Sequence, residues 1–127
     1  MATILVVEDN RSNMTLAKFL LETAGHTVLC AVDAEEGLAI ALRELPALIL
    51  MDIQLPGMDG LQATSLLKAD PATQRIPVIA LTALVMNGDE ARIRAAGCDG
   101  FIGKPLRYQA FLLAIEGYLA KFGKSHA

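Results

Sequence analysis

The chain has 127 residues, enough for one domain built around a single core. Hydrophobic residues make up 54% of it, aromatics only 5%, and tryptophan is absent, so the core must be built from Val, Ile, Leu, Ala and Met. A net charge of −3 argues against non-specific binding to nucleic acid or anionic lipid, and the longest apolar runs, such as 47–51, are far too short to span a bilayer.

Strand-like and helix-like segments alternate five times along the chain. Residues 3–7 form a continuous apolar, β-branched run that ends at Glu8 and Asp9. Runs without polar alternation suit strands buried on both faces, as in parallel sheets. Met14, Ala17, Leu20, Leu21 and Ala24 follow at helical spacing, with Gly25 where a C-terminal cap belongs. Residues 27–31 read as a short second strand. Asp33 can cap a helix through about Glu44, which Pro46 stops.

Residues 47–51 are the third strand, and the Pro56-Gly57 pair marks a turn before a helix capped by Asp59 and running to about Ala69. Pro71 and Pro77 bracket a loop ahead of the fourth strand, 78–81. A shorter helix covers 89–96 and closes at Gly97. The fifth strand is 100–103, after which Lys104-Pro105 leads into a last helix with Phe111, Leu112, Ile115, Leu119 and Phe122 on one stripe. No repeat, low-complexity stretch or linker interrupts residues 1–127, so one domain is expected. The alternation implies a doubly wound α/β fold, a parallel sheet with helices on both faces.

The N-terminus enters the first strand without a basic leader or cleavage site, which makes a cytoplasmic protein the expectation. Cys30 and Cys98 lack Cys-x-x-Cys spacing and are expected to be two buried, reduced thiols. His26 follows the helix-capping Gly25 and His126 lies in the tail, so neither is expected to carry chemistry.

In open α/β sheets the site lies beyond the C-terminal ends of the strands, where the strand order reverses. Taking the five-stranded order 2-1-3-4-5 as a fold-level assumption, strands one and three are neighbours there. Glu8 and Asp9 then end strand one, Asp52 ends strand three, Thr82 strand four and Lys104 strand five. Each residue alone has a plainer reading. Glu8 or Asp9 would serve as a helix cap, Asp52 as a turn acid, Thr82 as the start of a helix, and Lys104 as a solvated side chain. Together those readings fail, because three clustered carboxylates repel one another unless a cation sits among them. A hard divalent ion such as Mg²⁺ fits one or two carboxylates, a backbone carbonyl and waters. Such an ion suits phosphoryl transfer, with Lys104 as a point cation and the Thr82 hydroxyl as a donor to phosphoryl oxygens.

Four pieces carry a resemblance over essentially the whole chain: Val6-Val7-Glu8-Asp9-Asn10, the run from Leu50-Met51-Asp52 through Pro56-Gly57-Met58-Asp59-Gly60, Ala80-Leu81-Thr82-Ala83, and Lys104-Pro105. In this order and spacing the sequence resembles the response-regulator receiver family, and within it DivK-like cell-division regulators and the receivers of hybrid kinases. The resemblance implies a flavodoxin-like (βα)5 fold. It implies Asp52 as acceptor of a phosphoryl group from a phosphohistidine on a histidine kinase or histidine phosphotransfer protein, and a Mg²⁺ (or Mn²⁺) site. Asp9 would bind the ion directly, Glu8 directly or through water, and Gln54 through its backbone carbonyl. Phe101 matches the family's aromatic switch position. A phenyl ring cannot hydrogen-bond from its edge, so the switch would rest on packing as Thr82 moves. The bond between Lys104 and Pro105 would be cis. The signalling face would be the fourth helix, fifth strand and last helix, with Arg92, Arg94, Arg107 and Tyr108 as contacts.

Competing readings are weaker. A haloacid-dehalogenase-type phosphatase needs Asp-x-Asp at the end of the first strand, whereas Asp52-Ile53-Gln54 ends the third. A flavin carrier needs a phosphate-cradling loop where Glu8-Asp9-Asn10 would repel phosphate. A receiver-like module that works by protein contacts alone stays open. With no output segment after the last helix, the chain is expected to act on a downstream protein rather than on nucleic acid or membrane, as a monomer or weak dimer. Gln54 and Leu84 occupy the two positions that tune phosphoryl lifetime in the family, and an apolar Leu84 would hinder water. Leu84→Asn is therefore expected to speed dephosphorylation, followed as loss of the phosphoryl group with time; an unchanged rate removes that role.

Overall fold

The computed structural model describes residues 2–83 and 89–123. Five strands, β1 (Thr3–Val7), β2 (Thr27–Ala31), β3 (Leu48–Asp52), β4 (Val78–Thr82) and β5 (Gly100–Gly103), alternate with α1 (Arg11–Thr23), α2 (Ala34–Glu44), α3 (Gly60–Ala69), α4 (Asp89–Ala95) and α5 (Tyr108–Gly123). All the pairings are parallel, and the sheet order is β2-β1-β3-β4-β5. The assumed order is the observed one. Boundaries moved by a residue: β3 runs to Asp52 itself, β4 takes in Thr82, and α4 stops at Ala95.

The side chains of a strand point alternately to opposite faces, and the core is sorted accordingly. Leu5, Val7, Ile49, Met51, Val78 and Ala80 point into one cluster with residues of α2, α3 and α4, among them Ala41, Ala63, Leu67 and Ile93. Ile4, Val6, Leu48, Leu50, Ile79 and Leu81 point into the other, closed by Ala17, Leu20 and Leu21 of α1 and Phe111 and Ile115 of α5. Nearly all of β1 and the whole of β3 and β4 are buried, which is why their sequences run apolar without a break. β2 and β5 form the edges and are partly exposed.

The edge position of β2 corrects one expectation. Cys98 is buried, but Cys30 is exposed, because β2 is an edge strand with no neighbour on its outer side and is only partly covered. Both are free thiols, and burial raises both above their ordinary pKa.

Helix starts follow the capping rules. Asn10, Asp33 and Asp59 accept the N–H of the residue three further on at 2.9, 2.8 and 2.8 Å. Asn10, and neither Glu8 nor Asp9, is therefore the cap of α1, so those two acids are not spent on helix starting. Gly25 ends α1 with φ at +94°, a conformation that side-chain-bearing residues rarely adopt. The α2 helix ends at Glu44, and its C-cap Leu45, just before Pro46, lies in the left-handed region.

Gly60 begins α3 directly against the end of β3. A Cβ there would collide with the carbonyl oxygen of Asp52 and press on the backbone of Ile53. Both obstacles are main chain and have no rotamer to yield. Gly60→Ala is expected to cost about 2 kcal/mol or more of stability by urea unfolding, since the strain cannot relax without moving Asp52; a cost near zero would show that the start of α3 gives way freely.

Candidate functional site

The reversal in strand order puts the ends of β1 and β3 side by side, with Val7 opposite Met51. Glu8 and Asp9 follow β1, and Asp52 is the last residue of β3. Their carboxylates offer three oxygens that all lie within 4.8 Å of one another. Glu8 and Asp52 are buried, at 2% and 3% exposure, while Asp9 faces solvent.

Lys104, just beyond β5, reaches across this group. Its Nζ donates to Glu8 Oε1 at 2.7 Å and lies 3.2 Å from Asp52 Oδ2. The free oxygens are held by backbone: Glu8 Oε2 accepts the Asn10 N–H at 3.1 Å, and Asp52 Oδ1 accepts the Gln54 N–H at 2.9 Å. The Lys104 N–H donates to the Thr82 carbonyl at 2.8 Å, which sets β5's end against β4's. Thr82 is itself buried at the end of β4, one residue beyond the Leu81 that pairs with Asp52. The plain readings of these residues therefore fall: Thr82 belongs to a strand, and Lys104 is an ion-paired side chain.

The electrostatics follow from burial and crowding. Desolvation raises the Glu8 pKa above the usual carboxylate value, and the neighbouring Asp52 raises it further, while Lys104 and the Asn10 N–H pull it back. Burial pulls the Lys104 ammonium down, but its bond to Glu8 and the charge of Asp52 outweigh that, and its pKa is raised overall. Three carboxylates against one ammonium leave an excess of negative charge when all are ionised. Clustered hard oxygen donors carrying that excess suit a divalent cation of the Mg²⁺ kind.

The other expected residues are more scattered. Phe101 lies half-buried in β5 and packs against the cluster on the α2, α3 and α4 face. Gln54 touches the site through its backbone, donating to Asp52. The bond between Lys104 and Pro105 is cis. Arg92 and Arg94 are exposed on α4, 3.5 Å from Asp89 and 3.3 Å from Glu90, and Arg107 and Tyr108 are exposed at the start of α5. Leu84 lies outside the described residues, as does His126. Sequence reasoning missed Gly60 as the residue that lets α3 begin against Asp52. Its place directly after the cap Asp59 was the only available signal. Among the described residues, no buried side-chain nitrogen or oxygen lacks a hydrogen-bond partner, and no helix is long and apolar enough to cross a membrane.

Fold and site together define a class: doubly wound α/β proteins with an acidic pocket at the switch point and a lysine reaching into it from the last strand. Residues 4–116 match the family model of the response regulator receiver domain, and the chain belongs to that family. It is 44% identical over 117 residues to the polar-differentiation response regulator DivK of Brucella anthropi, covering 92% of this chain and 95% of that one. It also resembles the receiver domain of a sensor histidine kinase from Pseudomonas aeruginosa, solved with a magnesium ion coordinated in its active-site cleft (TM-score 0.87, 32% identity, 94% of this chain and 98% of that one). The chemotaxis protein CheY4 of Vibrio cholerae superposes with a TM-score of 0.88 at 26% identity, over 92% of this chain and 98% of that one.

Lys104 is the only side-chain cation bonded to the carboxylate group among the described residues. Lys104→Met is therefore expected to cost about 3 kcal/mol near pH 7, by leaving buried carboxylates unpaired. A carboxyl whose folded pKa is raised favours folding in its protonated form, so stability is gained as pH falls through that raised pKa. The deficit of Lys104→Met should thus shrink between pH 7 and pH 5 in urea unfolding. A deficit that stays constant with pH would mean that repulsion between the carboxylates is not its cause.

Proposed function

We propose that the chain is a phosphoacceptor switch of two-component or phosphorelay signalling, in which Asp52 takes a phosphoryl group from a phosphohistidine on a histidine kinase or histidine phosphotransfer protein. The observation that carries this is the Asp52 carboxylate itself, buried at the strand-order reversal, with an ammonium 3.2 Å away and two more carboxylates beside it. A carboxylate oxygen of Asp52 forms the bond to phosphorus as the P–N bond to the histidine ring breaks, and the ring nitrogen keeps the electron pair. The chain speeds a transfer onto itself and is consumed as a substrate, so it acts as a signalling protein rather than as a turnover enzyme.

Glu8, Asp9 and Asp52 would hold Mg²⁺ or Mn²⁺, with the Gln54 carbonyl as a further oxygen ligand. When bound, the ion neutralises charge on the transferring oxygens. Lys104 would bind a phosphoryl oxygen, its ammonium now shared between Glu8 and Asp52 being the nearest positive charge. Thr82 would donate its hydroxyl to another, since β4 ends beside β3. Gln54 borders Asp52 through its backbone, and Gln54 and the apolar Leu84 would tune the lifetime of the phosphoryl bond, as the resemblance implies.

The signal would be a shift in population toward a conformer in which Thr82, Phe101 and α4 have moved together. Phe101 is suited to this because its ring is only half-buried and carries no polar atom to anchor it. The face formed by α4, β5 and α5, with Arg92, Arg94, Arg107 and Tyr108, would then present an altered surface to a protein partner. Residues 1–127 act as one receiver unit, monomeric or weakly dimeric, without binding nucleic acid or membrane. The cytoplasm is the location this reading expects.

Acetyl phosphate with and without Mg²⁺, read by intact mass, tests the chemistry. One Mg²⁺-dependent phosphate adduct is expected on the wild type and none on Asp52→Asn. No adduct on the wild type would replace this reading by that of a receiver-like module working through protein contacts alone.

A further inference from the structure

Among the described residues, Glu116 and Tyr118 tie α5 to different parts of the sheet through their polar groups. Glu116 Oε2 lies 2.7 Å from Nε2 of the buried His26, whose Nδ1 accepts the Ala2 N–H at 3.1 Å. With Nδ1 an acceptor, the ring proton sits on Nε2 and is donated to Glu116. Ala2 precedes β1 and His26 precedes β2, so this tie holds α5 to the end of the sheet farthest from Asp52.

The second tie is Tyr118. Its hydroxyl donates to the Phe101 carbonyl at 3.3 Å. Its ring lies so close over Gly100 that a Cβ there would sit 2.5 Å from the hydroxyl oxygen, so the tyrosine occupies the space that only glycine leaves open. Phe122 stacks against the same ring, centroid to centroid 6.4 Å. These contacts hold the hydroxyl to β5.

The side chain of Phe101 belongs to the opposite face. Its ring packs against the cluster under α2, α3 and α4, whereas Tyr118 packs against the cluster under α1 and α5. β5 is an edge strand and pairs with β4 alone, so its exact seat depends on the helices that flank it. A phenyl ring offers no polar atom, so residue 101 is hydrogen-bonded through its peptide, and Tyr118 donates to its carbonyl from the α5 side while the strand itself pairs with β4. β5 is thus gripped at one residue from both faces, by packing on one side and by a hydroxyl on the other.

We infer that Tyr118 is a positioning residue that makes α5 follow Phe101 when the latter repacks, while the Glu116–His26 tie holds the helix to the stationary end of the sheet. This rests on the reading of Asp52 as phosphoacceptor. It assigns a residue of α5 as the link by which the state of β5 reaches the exposed face around Tyr108 and Leu113, which the packing of Phe101 alone leaves unexplained.

Tyr118→Phe tests it, keeping the ring over Gly100 and against Phe122 and deleting only the hydroxyl. The full chain, ¹⁵N-labelled, is treated with acetyl phosphate and Mg²⁺, with intact mass giving the extent of phosphorylation and amide spectra the response. The variant is expected to gain the Asp52 adduct as fully as wild type and to show the Phe101 amide shift, while shifts from Gln109 to Glu116 fall to about half or less. Equal shifts along α5 in the two proteins would overturn the inference, as would a wild-type adduct that leaves α5 unshifted; in both cases the acceptor reading survives. Absence of the adduct on wild type would remove the acceptor reading, and the role of Tyr118 with it.

Discussion

The site depends on one ammonium shared by two buried carboxylates. Lys104, Glu8 and Asp52 come from the ends of three different strands, and no two of them are closer than 44 residues in the chain. Removing such groups from water is costly, and the cost is met only when each has a charged or hydrogen-bonded partner. Every carboxylate oxygen of the buried pair has one, two on Lys104 and two on backbone N–H groups. A cation entering among the carboxylates would provide the same neutralisation and release the ammonium for another anion.

The scaffold makes this arrangement rigid where it needs to be. Three buried strands set the ends of β1, β3 and β4 in register, and their side chains alternate into two apolar clusters. The opposite end of the sheet is braced by similar means. Lys68 of α3 donates to the carbonyl of Ile76 at 2.8 Å and to Asp99 Oδ2 at 2.9 Å, and the same carboxylate oxygen accepts the Val78 N–H at 2.9 Å. Loops before β4 and β5 are thereby fixed by one partly buried lysine. The three buried strands and this lower end are thus held from several sides, whereas β5 is an edge strand paired with β4 alone.

Much of this was legible in the chain. The unbroken apolar runs of the strands, the 3.6-residue spacing of the helices, the caps Asp33 and Asp59, and the breaks at Gly25 and Gly97 place the elements to within a residue or so. Acids and a lysine after apolar runs mark strand ends, and the four short pieces in order identify the family. These signals are readable because each is local: a cap, a turn or a strand face is set by residues a few positions apart.

What the sequence alone determined is thus the alternation of elements, the apolar faces and the roster of polar residues at strand ends. Tertiary structure decided which of those residues meet. Strand order, which no single strand encodes, sets Glu8 beside Asp52, and only then does Lys104 gain two partners instead of water. The same global choice left Cys30 on an exposed edge against expectation, buried His26 against Ala2 and Glu116, demanded glycine at position 60, and laid Tyr118 over Gly100. Each of these is a contact between segments distant in sequence, whose formation depends on how the whole sheet and its helices pack, and no local pattern carries that information.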